Sequence, residues 1–138
     1  MRSKTLLIIF TILCISLISL SGCASKQKQK TLSNFDERIH LYGRLLRWKE
    51  YEGAANMIQH QDESSVEIEL DTYRDLRVTD YEVKKVMMGD ELKTAEVEME
   101  IDYYFETTNS VKTIRDKQTW WYNEKAETWF LNNDFPAF

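Results

Sequence analysis

The residue of this sequence best suited to proton-transfer chemistry is Asp116. It lies in an alternating run in which Asp116, Gln118 and Trp120 share one face of a predicted strand. A carboxylate buried on such a face is costly unless it is paired, so we expect its pKa to be perturbed. Asp116 is then an acid or base in a pocket, one half of a structural ion pair, or a residue at an exposed rim position. In the second interpretation its partner is a basic residue of a covering helix: His40, Arg44 or Arg47.

No second group for catalysis or metal binding accompanies Asp116. Proton-transfer enzymes position a second acid, base or oxyanion donor, and the same strand offers none. The two histidines, His40 and His60, are too far apart for one helical face, so a zinc site has little support. The sequence also lacks a glycine-rich phosphate loop and a nucleophile elbow. It predicts no metal and no cofactor, and it favours a function without catalysis.

The first 22 residues have the composition of a secretory signal. The segment 1–4 is basic, and an uncharged run rich in Leu and Ile extends from Thr5 to Leu20. This run of 16 residues is shorter than the ~20 residues that a membrane-spanning helix needs. The length favours a cleaved signal over the alternative, an uncleaved membrane anchor.

The junction Leu20-Ser21-Gly22-Cys23 resembles the lipobox of bacterial lipoproteins at every position. The resemblance implies that signal peptidase recognises Leu20, Ser21 and Gly22 and cleaves before Cys23. The Cys23 sulfur would carry a diacylglycerol thioether and the new amine a fatty acid such as palmitate. A thiolate is the nucleophile that such a transfer requires, and several acyl chains anchor a protein more firmly than one.

The residue after the cysteine bears on localisation. It is Ala24 rather than Asp, so in a diderm bacterium the resemblance implies the outer membrane, with the domain in the periplasm. In a monoderm bacterium the anchor would lie in the outer leaflet of the cytoplasmic membrane. The sequence does not distinguish these two sources.

Removal of the signal leaves 116 residues with a net charge of −7. Cys14 leaves with the signal and Cys23 carries lipid, so no thiol remains for a disulfide, a metal site or catalysis. The acidic balance argues against a nucleic-acid partner, which would be bound by phosphate neutralisation. This length fits one domain.

Residues 23–33 are predicted to be the lipidated cysteine followed by a flexible tether. Lys26, Lys28 and Lys30 alternate with glutamines, without an apolar period. The lysines would suit anionic head groups, although a plain soluble spacer is the simpler interpretation. The folded domain is predicted over 34–138.

Helices are predicted at the start of this domain. Asn34 followed by Glu37 resembles a capping box, and a helix to about Glu50 is expected. Its apolar stripe recurs at helical spacing: Phe35, Ile39, Tyr42 and Leu46. A second short helix or a bent continuation follows to about His60. Residues 66–73 fit either a strand or a short helix, and we favour the helix.

Four antiparallel strands are predicted next, from their alternating side chains. They cover 76–88, 95–105, 111–122 and 127–132, with a bulge near Lys84-Lys85 and a turn at Gly89-Asp90. Placing Glu106 opposite Val111 brings opposite charges together on neighbouring strands. The predicted pairs are Asp102 with Arg115, Glu100 with Lys117 and, on the core face, Trp120 with Trp129.

The order of these elements resembles the nuclear transport factor 2 superfamily. A long helix precedes a curved antiparallel meander, and the sequence closes on Trp120-Trp121-Tyr122 and Trp129-Phe130-Leu131. The resemblance covers roughly 35–131 and implies a cone-like α+β fold whose sheets often mediate dimers. A cystatin-like arrangement, with a helix across a sheet, is the alternative.

Two groups of candidate site residues follow from the strand faces. The inner face would line a pocket through Met99, Ile101, Asp116, Gln118, Trp120 and Trp129. The outer face carries Tyr104, Trp121 and Phe130, whose exposure would suggest a contact surface for another envelope protein or a second copy. The alternative for this aromatic group is cover by the C-terminal segment 135–138.

These observations predict a membrane-anchored periplasmic lipoprotein that binds or scaffolds a partner in the cell envelope. Two other functions remain open. One is a pocket for a small apolar ligand, and the other is an isomerase- or hydrolase-like enzyme that uses Asp116. The state of the space between the helix and the sheet distinguishes the three.

Overall fold

The described residues form helices followed by a four-stranded antiparallel sheet, which confirms the predicted α+β class. The structure is a computed structural model and describes residues 21–64 and 66–138. Helix α1 is Ser21–Arg47 and helix α2 is Tyr51–Ala55. The strands are β1 Leu76–Met88, β2 Thr94–Phe105, β3 Lys112–Asn123 and β4 Thr128–Leu131. They lie in the order β1-β2-β3-β4, and the sheet is open.

The boundary between two compact units of the chain falls between Ser33 and Asn34. The predicted signal, including Leu20, lies outside the described residues, and only the backbone is described for Ser21, Gly22 and Cys23. No helix of the described residues is both long and apolar enough to cross a membrane.

The predicted helix start at Asn34 is wrong, because the described part of α1 begins at Ser21. The segment predicted to lack regular structure is thus helical, and its lysines and glutamines are good helix formers. Asn34 does not cap the helix. Its Oδ1 instead accepts a hydrogen bond from the Thr128 hydroxyl at 3.4 Å.

The end of α1 is set by a left-handed residue. Lys49 has a φ of 61°, and its N–H donates to the Leu46 carbonyl at 3.3 Å. The N–H of Glu50 donates to the Leu45 carbonyl at 2.9 Å. This paired pattern is a Schellman motif, and it satisfies carbonyls that the helix end would leave open. The turn separates α1 from the short helix α2, which ends at Ala55 rather than near His60.

The helix predicted over 66–73 is wrong for most of its length. Only Leu70–Tyr73 forms a single 3-10 turn, and 66–69 is irregular. Tyr73, at the end of this turn, belongs to an aromatic cluster with Tyr51 and Phe135. Its ring centroid lies 6.3 Å from that of Tyr51 and 4.9 Å from that of Phe135.

The bulge predicted in β1 is confirmed, since the register with β2 shifts between Val83 and Lys85. A second shift between Val78 and Asp80 was not predicted. Bulges bend a strand and increase its twist.

The predicted registers of the last two strand pairs are wrong by two residues. Glu100 faces Arg115 and Glu98 faces Lys117, because the loop between β2 and β3 is longer than the expected tight turn. Trp120 faces Leu131 rather than Trp129. A shift of two preserves the face of every side chain, so the division into inner and outer faces survives the error.

The hydrophobic core lies between α1 and the inner face of the sheet. The predicted stripe of α1 is buried throughout. The Phe35 ring packs 4.8 Å from Trp129 and the Tyr42 ring 5.9 Å from Trp120, measured between centroids. A glycine allows one especially close contact: a Cβ at Gly43 would lie 2.6 Å from Cε1 of Tyr81. Only glycine leaves room for this ring.

We predict that Gly43→Ala destabilises the domain. Alanine favours a helix over glycine by about 1 kcal/mol, but overpacking against the Tyr81 ring costs about 1–3 kcal/mol. The expected net loss is on the order of 1 kcal/mol, measured by chemical denaturation.

The matched control is Gly53→Ala. Its new Cβ would meet Leu45 Cδ2 at 3.2 Å, the movable end of a flexible side chain, so stability should hold or rise. Combining Gly43→Ala with Tyr81→Ala should cost less than the sum of the single changes. An equal gain from both glycine substitutions would contradict the proposed clash.

Candidate functional site

A chain of polar side chains crosses the inner face of β3. Trp120 Nε1 donates to Gln118 Oε1 at 2.9 Å, and Gln118 Nε2 donates to Asp116 Oδ2 at 2.7 Å. Gln118 and Trp120 are buried, whereas Asp116 is half-buried. Alternation along the strand places all three on one face, as the sequence predicts. The indole N–H inside the core is thereby satisfied.

The ion pair suggested for Asp116 does not form among the described residues. Its partner is Gln118 from its own strand, and His40 pairs instead with Asp36 at 3.6 Å. Arg44 and Arg47 are exposed on α1. Burial raises the pKa of the Asp116 carboxyl, and the hydrogen bond from Gln118 opposes this rise.

Two tyrosine hydroxyls lie near this chain. The Oη atoms of Tyr42 and Tyr81 are buried and have no hydrogen-bond partner among the described residues. Burial is the main cause that raises the pKa of both phenols, and the nearby Asp116 charge adds to it. Both tyrosines therefore stay neutral near pH 7. No sequence pattern predicts this pair, because both residues fit an ordinary apolar spacing.

The apolar members of the predicted pocket lie in the core. Met99, Ile101, Trp120 and Trp129 are each at most 1% exposed. Side chains of α1 occupy the space opposite them, as the ring contacts of Phe35 and Tyr42 with the tryptophans indicate. A ligand at this place would have to displace core side chains. The six candidate residues thus share one face, and side chains of α1 fill the space in front of the two tryptophans.

The outer face of β2 and β3 is a balanced charged surface. The Glu100 carboxylate lies between two basic residues: Oε2 is 3.8 Å from Arg115 Nε, and Oε1 is 3.5 Å from Lys84 Nζ. These three residues line a shallow cavity of about 540 Å³ together with Glu98, Met99, Asp116 and Lys117, so the half-buried Asp116 borders open space at this edge of the sheet. Within the acidic run of β2, Glu100 thus has basic partners on both neighbouring strands, whereas Asp102 faces Asp80 of β1. Ion pairs near the surface contribute little stability.

The predicted aromatic contact pair is present at one end of this face. The rings of Trp121 and Phe130 lie 5.9 Å apart on paired positions of β3 and β4. Trp121 Nε1 donates to the Gln59 carbonyl at 2.7 Å, which fixes the indole. The Arg38 guanidinium lies over the Phe130 ring, 5.8 Å from its centroid. Both aromatic side chains remain partly exposed.

The C-terminal segment packs elsewhere. Phe135 contacts Tyr73, and the Phe138 ring lies 5.2 Å from that of Tyr103 on the inner face. The alternative in which this segment covers Trp121 and Phe130 is therefore not what the structure has. The outer aromatic pair stays accessible.

The third predicted contact residue, Tyr104, is separate from the pair. Tyr104 faces Arg77 near one end of β2, whereas Trp121 faces Thr94 at the other end. Strand geometry puts about 33 Å between these two positions of β2. The three residues share a face but do not form one patch.

A groove that the sequence did not reveal adjoins Trp121. It has a volume of about 470 Å³ and combines amide, carboxylate, hydroxyl and ammonium groups around the indole. Its lining includes Gln61, Glu63, Lys93, Thr94, Asn123 and Glu124. Most of these residues belong to turns, where the sequence pattern does not specify which side chains meet. A fixed aromatic ring beside polar groups is suited to binding a partner.

The histidines serve local contacts. His60 Nδ1 lies 2.7 Å from the Ser64 hydroxyl and Nε2 lies 3.4 Å from Asp134. Within the described parts of the chain, no group of three or more His, Cys, Asp or Glu side chains is arranged to hold a metal ion.

Comparisons of the chain with protein-family models, with curated proteins and with solved structures find no match.

We predict that Asp116→Asn stabilises the domain at neutral pH. The folded-state pKa of Asp116 is raised above its ordinary value of 3.8, so the folded protein holds this proton to higher pH than the unfolded chain. The stability that this proton contributes is present below the unfolded pKa and is lost as pH rises through the folded pKa. At pH 7 asparagine avoids the buried charge and still accepts from Gln118, a gain on the order of 1 kcal/mol.

The measurement is urea denaturation of both proteins from pH 3 to pH 8. The difference between them should vanish near pH 3 and reach its full value at neutral pH. Tyr81→Phe is the control, because it removes a neighbouring hydroxyl that stays neutral, and its effect should not depend on pH. A pH-independent difference for Asp116→Asn would show that the carboxyl is not destabilised by burial.

Proposed function

We propose that this protein is a lipid-anchored component of the bacterial cell envelope whose domain binds a partner through Trp121 and Phe130. The observation that carries the binding role is the accessibility of this aromatic pair while the inner face is filled. Tryptophan and other aromatic residues are enriched where proteins bind each other, and an indole often dominates the affinity.

The anchor is supported by the sequence. A basic start, an apolar run and the tetrapeptide Leu20-Ser21-Gly22-Cys23 together favour lipidation of Cys23. Ala24 favours the outer membrane of a diderm bacterium, and the outer face of the cytoplasmic membrane is the corresponding site in a monoderm. A partner near that membrane would meet the domain at high effective concentration.

The geometry at the contact pair supports a defined surface rather than two loose rings. Trp121 is fixed through the Gln59 carbonyl, and Phe130 lies under Arg38. Aromatic side chains held in place lose little conformational entropy on binding. The adjoining groove would let a partner donate and accept hydrogen bonds beside the apolar contact.

We also propose that the domain is a reduced relative of the nuclear transport factor 2 superfamily. Support comes from the long helix followed by a bulged antiparallel meander of four strands. Dimers through the sheet, which the resemblance implies, would use the face that carries Trp121 and Phe130. A second copy is therefore one form that the partner can take.

The anchor predicts that Cys23 becomes lipidated when the full chain is expressed in bacteria. An alkyne fatty acid should label the wild-type protein, and Cys23→Ser should abolish the label and leave the signal uncleaved. Cys14→Ser is the matched control, since this cysteine lies in the predicted signal and should leave the label unchanged. Label retained in Cys23→Ser would contradict the anchor.

The contact surface predicts site-specific cross-linking. A photoreactive amino acid at position 121 or 130 of the anchored protein should give a defined adduct in cells, and one at Val111 should not. Val111 is 63% exposed, so it controls for accessibility. An adduct of twice the mass identifies a homodimer, and another mass identifies a different envelope protein. Equal adducts at all three positions, or none at 121 and 130, would contradict the proposal.

A further inference from the structure

A second exposed aromatic surface surrounds Trp48, directly after α1. Trp48 is 76% exposed, whereas the three other tryptophans are buried or partly buried. Leu41 and Leu45 precede it on the same side of the helix and are only partly buried. With Arg44 and Glu50 these residues line a shallow groove of about 360 Å³. We call this groove and its rim the Trp48 surface.

The rim of the Trp48 surface is basic. Arg44, Arg47 and Lys49 are all exposed, and Lys49 Nζ donates to the Arg74 backbone carbonyl at 2.8 Å. Arg74 pairs with Asp71, but neither Arg44 nor Arg47 has an ion pair with a described residue. Glu50 is the acidic residue of the groove itself.

This local charge is opposite to that of the chain. Acidic residues outnumber basic ones by 23 to 18 over the whole sequence. Arginines in the last turn of a helix also favour its dipole, which would account for Arg44 and Arg47 alone. The helix dipole does not account for a mostly exposed indole beside two partly exposed leucines.

We propose that the Trp48 surface rests on the anionic phospholipid head groups of the membrane that holds the anchor. This inference rests on the lipidation of Cys23 proposed above. An indole is apolar with a polar edge and partitions to the membrane interface. Exposed arginines and lysines are attracted to anionic lipid, which matches the charge of the rim.

Because the lipid anchor would keep the domain beside the membrane, even this small surface is large enough for membrane contact. One tryptophan and two leucines bury little area, so the unanchored contact is weak. The 11 residues from Cys23 to Ser33 are helical and span about 16 Å at the rise of an α-helix, so the lipid would hold the domain close to the bilayer. An anchored domain therefore samples the bilayer surface continually, and a weak contact is populated by effective concentration.

The first experiment uses the mature chain with Cys23→Ser, which carries no lipid. It is titrated with phosphatidylcholine vesicles that contain or lack phosphatidylglycerol. We expect binding that requires phosphatidylglycerol and moves the tryptophan emission to shorter wavelength. Arg44→Gln with Arg47→Gln should weaken the partition about 25-fold, because each charge is worth roughly five-fold. Trp48→Ser should remove the emission shift.

Matched controls separate this surface from general effects. Arg115→Gln removes an arginine that is 87% exposed at the side chain, and Val111→Ser removes another exposed apolar side chain. Both should bind like the parent. The tether lysines are tested by changing Lys26, Lys28 and Lys30 to glutamine together. Binding that depends on these lysines and not on Trp48 overturns the inference, as does equal binding to both vesicle types.

The second experiment uses the lipidated wild-type protein reconstituted in vesicles that contain brominated phospholipid. Bromine should quench part of the tryptophan emission, and Trp48→Phe should lose that part. If Cys23 is lipidated and no quenching by Trp48 occurs, the inference fails while the proposed anchor stands. If Cys23 is not lipidated, the anchor fails, and the first experiment alone decides whether the surface binds lipid.

Discussion

The packing of α1 against the inner face of the sheet is the contact on which the remaining structure depends. The helix supplies one apolar stripe, and the strands supply the tryptophans and aliphatic residues that it covers. Gly43 lets the helix approach Tyr81 more closely than any other residue would. Bulges in β1 bend that strand. Burial of this interface is the dominant favourable term in the stability of so small a domain.

The same contact explains why the inner face is poorly suited to ligands. Three side chains of α1 fill the space between the helix and the sheet: Phe35, Ile39 and Tyr42. The polar chain that starts at Trp120 ends at the half-buried carboxylate of Asp116. The hydroxyls of Tyr42 and Tyr81, which have no hydrogen-bond partner among the described residues, cost free energy that a purely apolar pair would not.

The sequence predicted whatever depends on local periodicity. The stripe of α1, the alternation of β2 and β3 and the bulge at Lys84-Lys85 each follow from side-chain spacing, and so does the face of every candidate residue. Registers, helix ends and loop packing depend on contacts between distant segments. Glu100 opposite Arg115 and Glu100 opposite Lys117 satisfy charge equally well, so charge pairing could not fix the hairpin. The left-handed Lys49 and the aromatic partners of Tyr73 likewise leave no signature in the local pattern.

A filled interior moves the question of function to the surface, where aromatic residues carry the most information. Trp120 and Trp129 are buried in the hydrophobic core. Trp121 is partly accounted for by its hydrogen bond to the Gln59 carbonyl and its ring contact with Phe130. The Trp48 side chain, by contrast, is mostly exposed, and its indole N–H has no hydrogen-bond partner among the described residues. A large apolar side chain in water is unfavourable unless something covers it in the working state. The first 22 residues resemble a lipoprotein signal, and the cover that we propose for Trp48 is a bilayer surface whose charge is opposite to that of Arg44 and Arg47.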